Sequence, residues 1–207
     1  MKRALILDLD NTIYPVSQIA DNLFKKLFDL IDREETSVNY ADIEKAKDEL
    51  TRRNFQLVAD KYHFNPGLKT KGVQLLKDMT YDLPMHPFEQ YRHVKSSPHD
   101  KFLVTTGFSK LQWSKIKMLG IETDFLEIHI VDPETSPQTK KDVFASIMQR
   151  HNYNVNDILV IGDDPESEIK AANELDIETF LFDPEGKHPE SAATYKGTEL
   201  KGFLNFI

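Results

Sequence analysis

The stretch LILDLDNTIY, residues 5–14, runs from apolar residues into two aspartates, Asp8 and Asp10, and then into a polar turn. Residues 3–9 read as a short, continuous apolar strand of the kind buried on both faces. Side chains two apart on an extended chain point the same way, so Asp8 and Asp10 project together from the strand's end. Like charges placed side by side resist ionisation unless something positive intervenes. Folding alone gives no reason for such a pair.

Beyond Pro15 the rhythm changes. Ile19, Leu23, Phe24, Leu27, Phe28 and Ile31 recur at three- and four-residue steps, which predicts an amphipathic helix over 18–35. A second helical pattern covers 40–62, with Ile43, Ala46, Leu50, Leu57 and Val58 on one stripe, and shorter helices are predicted over 68–79 and 85–94 around the Leu83-Pro84 break. Residues 16–95 therefore read as an all-helical block. From residue 101 strands alternate with helices: strands over 101–105, 126–131, 157–161 and 178–182, helices over 108–119, 140–151 and 165–175. Strands separated by helices of this length imply right-handed crossovers and a parallel sheet. The residues from 184 onward, with Gly186, Pro189 and Gly197, read mostly as loop. The expected architecture is α/β, a three-layer parallel-sheet core made of 1–15 and 96–207, with a helical cap, 16–95, inserted after the first strand.

In open parallel sheets ligands collect beyond the carboxyl ends of the strands. The residues expected there are Asp8 and Asp10, Thr105 and Thr106, Asp132, and the pair Asp163 and Asp164. Converging carboxylates without cysteine or histidine partners describe a site for a hard cation, with Mg²⁺ the best-fitting occupant. The chain has no cysteine, which removes disulfides and thiolate chemistry, and its seven histidines show no metal-binding spacing. Asp163 and Asp164 also precede a predicted helix, so either could serve as its cap. Asp132, ahead of Pro133, reads as a turn former, and Trp113 as a packing residue of its amphipathic helix.

A formal net charge of −8 without a Lys/Arg run argues against a nucleic-acid polymer as partner, though not against a small phosphate ester. The apolar run in MKRALILDLD is too short for a signal peptide, and no segment reaches membrane-spanning length. A soluble cytoplasmic protein with no membrane partner is the expectation.

Four pieces of the sequence, in order, resemble the haloacid dehalogenase-like (HAD) superfamily of aspartate-nucleophile phosphohydrolases. They are LILDLDNT with Asp8 and Asp10, FLVTTG with Thr105, TKKDVF with Lys140, and VIGDDPESEIKAA with Asp163. With the helical insert they cover essentially the whole chain. The resemblance implies a Rossmann-like core, subfamily I with a helical cap, and Mg²⁺-dependent hydrolysis of a small phosphorylated metabolite. It makes Asp8 the nucleophile, Asp10 the acid and then base, and Thr105 a donor to the phosphoryl oxygens, with Thr106 its neighbouring alternative. Crowding by Asp8 is expected to hold the Asp10 carboxyl protonated at neutral pH. Lys140, preferred to Lys141, would offset phosphate charge. Asp8, the Asp10 main-chain carbonyl and Asp163 would hold the metal. The family often carries a second aspartate after its final Gly-Asp; that place falls to Glu168, so Asp164 and Glu168 are expected just outside the metal's ligands. DNTIYP followed by a helical cap looks most like the pyrimidine 5′-nucleotidase type. The other readings are a metal-independent haloacid dehalogenase, against which Asp10 speaks, and a HAD-fold protein that binds without turnover.

Overall fold

Six parallel strands form one sheet in the order β3-β2-β1-β4-β5-β6 in a computed structural model that describes residues 1–35, 37–51 and 53–207. They are β1 (Ala4–Leu7), β2 (Asp100–Thr106), β3 (Glu127–Val131), β4 (Ile158–Gly162), β5 (Glu178–Phe182) and β6 (Tyr195–Gly197). The first strand lies in the middle, with Leu7 opposite Leu103 on one side and Ile161 on the other. The Asp8 N–H donates to the Ile161 carbonyl at 3.0 Å, which carries the pairing one residue past β1. This register brings the ends of β1, β2 and β4 together.

The strands are apolar along their length because both faces are covered. Leu5, Leu7, Leu103, Leu159 and Ile161 enter the core on one face, and Ala4, Ile6, Phe102, Val104 and Val160 the core on the other. The second face is covered by Val143, Phe144 and Ile147 of α7 (Lys140–His151) and Ala172 of α8 (Lys170–Asn173). The first face packs α6 (Ser109–Leu119), which ends at Gly120 in the left-handed conformation (φ 64°) that glycine adopts without penalty. The expected three layers are present. Among the described residues no helix is long and apolar enough to cross a membrane.

Between β1 and β2 lie α1 (Ala20–Glu34), α2 (Tyr40–Leu50), α3 (Phe55–Lys61), α4 (Pro66–Asp78) and α5 (Tyr91–Ser96). The helix expected over 40–62 is two helices. Asn54 stops the pattern, because its side chain accepts from the Leu57 N–H at 3.0 Å and caps a new helix, and Leu57 turns outward, 61% exposed. Arg52, within that expected span, lies outside the described residues. The helix expected over 85–94 is only α5, and residues 79–90 run without helix, stitched to the core where the Phe88 N–H donates to the Ile13 carbonyl at 2.8 Å. This segment packs on the sheet domain, with the Phe88 ring edge-on to Phe182.

The tail is more ordered than its Gly and Pro content suggests. It adds β6 and a 3₁₀ helix, Leu200–Phe206. Two apolar residues one turn apart, Leu200 and Phe203, anchor it and are fully buried. Truncating Phe203→Ala removes a buried ring that no neighbour can replace; urea denaturation is expected to show a loss of about 3–5 kcal/mol. A loss below about 1 kcal/mol would mean the tail is not part of the core.

Candidate active site

The polypeptide leaves β1 through a turn built for departure. Asn11 adopts the left-handed region (φ 57°), which asparagine tolerates, and its side chain accepts from the Val16 N–H at 3.0 Å. Thr12 reaches back across the sheet and donates to Asp163 Oδ1 at 3.2 Å. The chain thus exits toward the helices while Asp8 and Asp10 stay at the sheet edge.

Opposite them, α7 begins with a capping box in which the Thr139 and Asp142 side chains satisfy each other's backbone N–H groups. That cap sets Lys140 as the first helical residue, aimed inward. Its Nζ donates to Asp8 Oδ1 and to Glu168 Oε2, each at 2.7 Å, and it is 7% exposed. Lys141 points out and pairs with Glu174 at 3.0 Å. Glu168 sits on one turn of π-helix, Pro165–Ile169, and its Oε1 accepts from the Asp164 N–H at 2.8 Å. It fits because position 162 is glycine: a Cβ there would lie 2.1 Å from Glu168 Oε1. Asp164 caps the same turn through the Glu166 N–H at 2.8 Å.

Asp8, Asp163 and Glu168 each offer a carboxylate oxygen within 4.8 Å of the others. Glu168, expected just outside the metal's ligands, is brought against the other two acids because the bare Cα of Gly162 lets it fold under the strand end. Fully ionised, the trio would set three negative charges against the single ammonium of Lys140. Burial, with the charges of Glu168 and Asp10, pushes the Asp8 carboxyl up to about 7 despite Lys140. Burial and the charges of Glu168 and Asp8 likewise hold Asp163 well above the usual carboxylate range. Lys140 is held protonated: burial works against its charge, but Asp8 and Glu168 outweigh it. A crowded, oxygen-only, under-neutralised set of donors fits a hard divalent cation.

The Asp10 side chain faces a different set of partners. Its Oδ1 accepts from Lys115 Nζ at 2.9 Å and from the Tyr14 hydroxyl, and its Oδ2 from Gln112 Nε2 at 2.9 Å. The expectation that Asp8 keeps Asp10 protonated is therefore reversed. Burial does raise the Asp10 carboxyl, but Lys115, Tyr14 and Gln112 together bring it below its usual value. Thr105 is buried beside them, with Gln112 Nε2 donating to its Oγ1 at 2.8 Å, and Thr106 contributes only its carbonyl, 3.3 Å from the same nitrogen. Asp132 caps α6 by accepting from the Ser109 N–H and hydroxyl, each at 2.8 Å, which accounts for its burial.

Tyr14, Gln112 and Lys115 were not singled out by sequence reasoning. The signal was present: Gln112 and Lys115 occupy the inward stripe of α6 with Leu111, Ile116 and Leu119, where an apolar pattern predicts no polar residue. Trp113, expected to pack, is displaced to the outer face and is 39% exposed. Above the acids lies a cavity of about 300 Å³, floored by Asp8, Asp10 and Thr105 and walled on the insert side by Phe24, Leu50 and Phe55. The insert is tied to the far rim by Glu134, which accepts from Gln56 Nε2 at 3.1 Å and pairs with Lys77 at 2.8 Å.

Residues 2–176 match the family of haloacid dehalogenase-like hydrolases. A stretch of 97 residues is 30% identical to ribulose-1,5-bisphosphate 5-phosphatase of Halopiger xanaduensis, covering 46% of this chain and 40% of that protein. A stretch of 140 residues is 24% identical to the HAD-hydrolase YfnB of Bacillus subtilis, covering 66% of this chain and 56% of YfnB. The chain thus spans about half the length of these curated relatives. The backbone superposes on the crystal structure of YfnB bound to magnesium with a TM-score of 0.66, at 20% identity over 99% of this chain and 97% of that one. It superposes on SP0104, a haloacid dehalogenase-like family protein of Streptococcus pneumoniae, with a TM-score of 0.72, at 18% identity over 99% of this chain and 98% of that one. At such identities the superpositions speak for the fold.

The space that Gly162 leaves for Glu168 can be tested directly. Gly162→Ala is expected to cost on the order of 1–3 kcal/mol in urea denaturation through overpacking. An unchanged midpoint would show that the Glu168 carboxylate does not occupy that space.

Proposed function

The chain belongs to the haloacid dehalogenase-like hydrolase family, and from that premise we propose that it hydrolyses a small phosphate monoester through an aspartyl-phosphate at Asp8. The observation that carries this reading is the Asp8 carboxylate at the cavity floor, held by Lys140, with a second acid, Asp10, two residues on and lining the same cavity. In the first step an Asp8 oxygen bonds to phosphorus, the ester P–O bond breaks, and the leaving oxygen takes the proton of the monoanionic ester, relayed through Asp10, which is ionised before substrate arrives. In the second, water attacks the acyl-phosphate and gives its proton to Asp10, and inorganic phosphate leaves with Asp8 restored. The charged Asp10 held by Lys115, Tyr14 and Gln112 is the form the second step requires of a base.

A carboxylate and a phosphate about 4 Å apart repel by on the order of 4 kcal/mol per pair of unit charges at an effective dielectric near 20. Lys140 offsets part of this. In this reading Asp8, Asp163 and the Asp10 main-chain carbonyl hold Mg²⁺, with Glu168 alongside. When bound, the ion supplies positive charge for the transferring phosphoryl group. Thr105 donates its hydroxyl to a phosphoryl oxygen. Helices α1–α4 serve as the cap, excluding bulk water and reading the leaving group. We place the reaction in the cytoplasm, on a nucleotide, a sugar phosphate or a similar metabolite; the relative named as a sugar-bisphosphate phosphatase supports including sugar phosphates.

The purified protein is expected to hydrolyse p-nitrophenyl phosphate with Mg²⁺, to stop on EDTA treatment, and to recover on adding Mg²⁺. Metal-independent dehalogenation of a haloalkanoate, or no turnover with either substrate, would overturn the reading. Asp8→Asn is expected to lower kcat by about 10³-fold or more, equivalent to about 4 kcal/mol. Activity surviving in that variant would exclude the aspartyl-phosphate. A panel of nucleotides, sugar phosphates and phosphoglycolate at fixed Mg²⁺ then identifies the leaving group.

A further inference from the structure

We propose that Gln112 is a positioning residue that locks Thr105 and Asp10 to one another, so that the Thr105 hydroxyl presents its hydrogen to the phosphoryl group; this rests on the phosphohydrolase reading above. Gln112 is 2% exposed in the inward stripe of α6. An amide nitrogen carries two hydrogens, and the two shortest contacts of Nε2 are Thr105 Oγ1 at 2.8 Å and Asp10 Oδ2 at 2.9 Å. A carboxylate only accepts, so the amide atom facing Asp10 must be the nitrogen, and this fixes which way round the amide sits.

The consequence for Thr105 follows from counting donors. Its oxygen receives a hydrogen from Gln112, so its own hydrogen must point elsewhere. Among the described residues no acceptor lies within hydrogen-bonding distance of it, and the open direction is the cavity that Thr105 lines. A buried hydroxyl hydrogen without a protein acceptor is a site for an acceptor brought by the substrate, and a phosphoryl oxygen is one. Without Gln112 the hydroxyl is free to rotate, and nothing keeps its hydrogen directed at the cavity.

The surroundings hold Gln112 in place. Gly107, at φ 152°, leaves its side-chain volume open, and a Cβ there would come within 3.1 Å of Gln112 Cγ and Cδ. One turn further along α6, Lys115 takes the other Asp10 oxygen at 2.9 Å. The two oxygens of Asp10 are thus assigned to different donors of one helix. Gln112 is the member of this pair that also reaches the phosphoryl-binding strand end.

A double-mutant cycle on p-nitrophenyl phosphate at saturating Mg²⁺ separates this role from mere core filling. Gln112→Leu and Thr105→Val are each expected to lower kcat by about 10²-fold. KM should stay within about threefold, because the loss is one of alignment rather than binding. The double variant should fall no further than the worse single variant. Losses that multiply, or a Gln112→Leu enzyme with full kcat, would overturn the assignment. Should Gln112→Leu not fold, Gln112→Met retains the length of the side chain without the amide, and the same comparison applies. Absence of turnover in the wild type would overturn the phosphohydrolase reading and this assignment together. Wild-type turnover with multiplying losses would overturn the Gln112 role alone.

Discussion

The buried ammonium of Lys140, shared between Asp8 and Glu168, is the interaction on which the rest of the site depends. Three carboxylates at the end of a sheet covered on both faces would repel one another and drive out their own charge. A single lysine at the first turn of α7 permits the crowding without neutralising it. Removing one partner from such a cluster strands the others in a medium that solvates them poorly. The Thr139–Asp142 cap aims that lysine, the missing Cβ at Gly162 admits Glu168, and the register between β1 and β4 sets Asp8 beside Asp163. The remaining deficit of positive charge makes the site receptive to a cation.

The core strands, the helical insert after the first of them, and the acids at strand ends are all legible in the sequence, because a sheet buried on both faces writes itself as short apolar runs ending in polar residues. Lys140 is legible only through the family resemblance, since the helix pattern offers Lys141 equally; the Thr139 cap is what turns Lys140 inward. The inward turn of Glu168 depends on a glycine six residues earlier and on a π-helical turn that no periodicity announces. Gln112 and Lys115 are hidden by their surroundings: within an amphipathic helix they look like interruptions, and only the arrival of Asp10 from the opposite strand makes them partners. The same helix misleads about Trp113, because the inward positions are already filled. The break at Asn54 has a local signal, an asparagine ahead of Phe55, that the apolar spacing of 40–62 overrides. The tail evades a pattern reading because its fully buried residues, Leu200 and Phe203, are too few to make a periodicity, while the pairing of β6 with β5 and the stacking of Tyr195 on Phe206 form only in the fold.

The cavity joins two kinds of surface. Its floor is made of charged groups, each held by fixed partners, while its insert side is largely apolar and comes from helices with few polar links to the sheet. Glu134 is one such link, gathering Gln56 and Lys77 from two different helices to one carboxylate at the rim. The groups that tolerate little displacement thus sit on strand ends and helix first turns, and the apolar wall of the cavity sits on the insert.

The backbone bond between Phe88 and Ile13 bears on how such an arrangement can diversify. This hydrogen bond ties together the two segments that flank the insert, so everything hung beyond them leaves the sheet through a narrow neck. The entropy of closing a loop grows only logarithmically with its length. Strands β1 and β2 are therefore nearly indifferent to how much chain lies past that neck. The whole module can be lengthened, shortened or exchanged while the carboxylates keep their places.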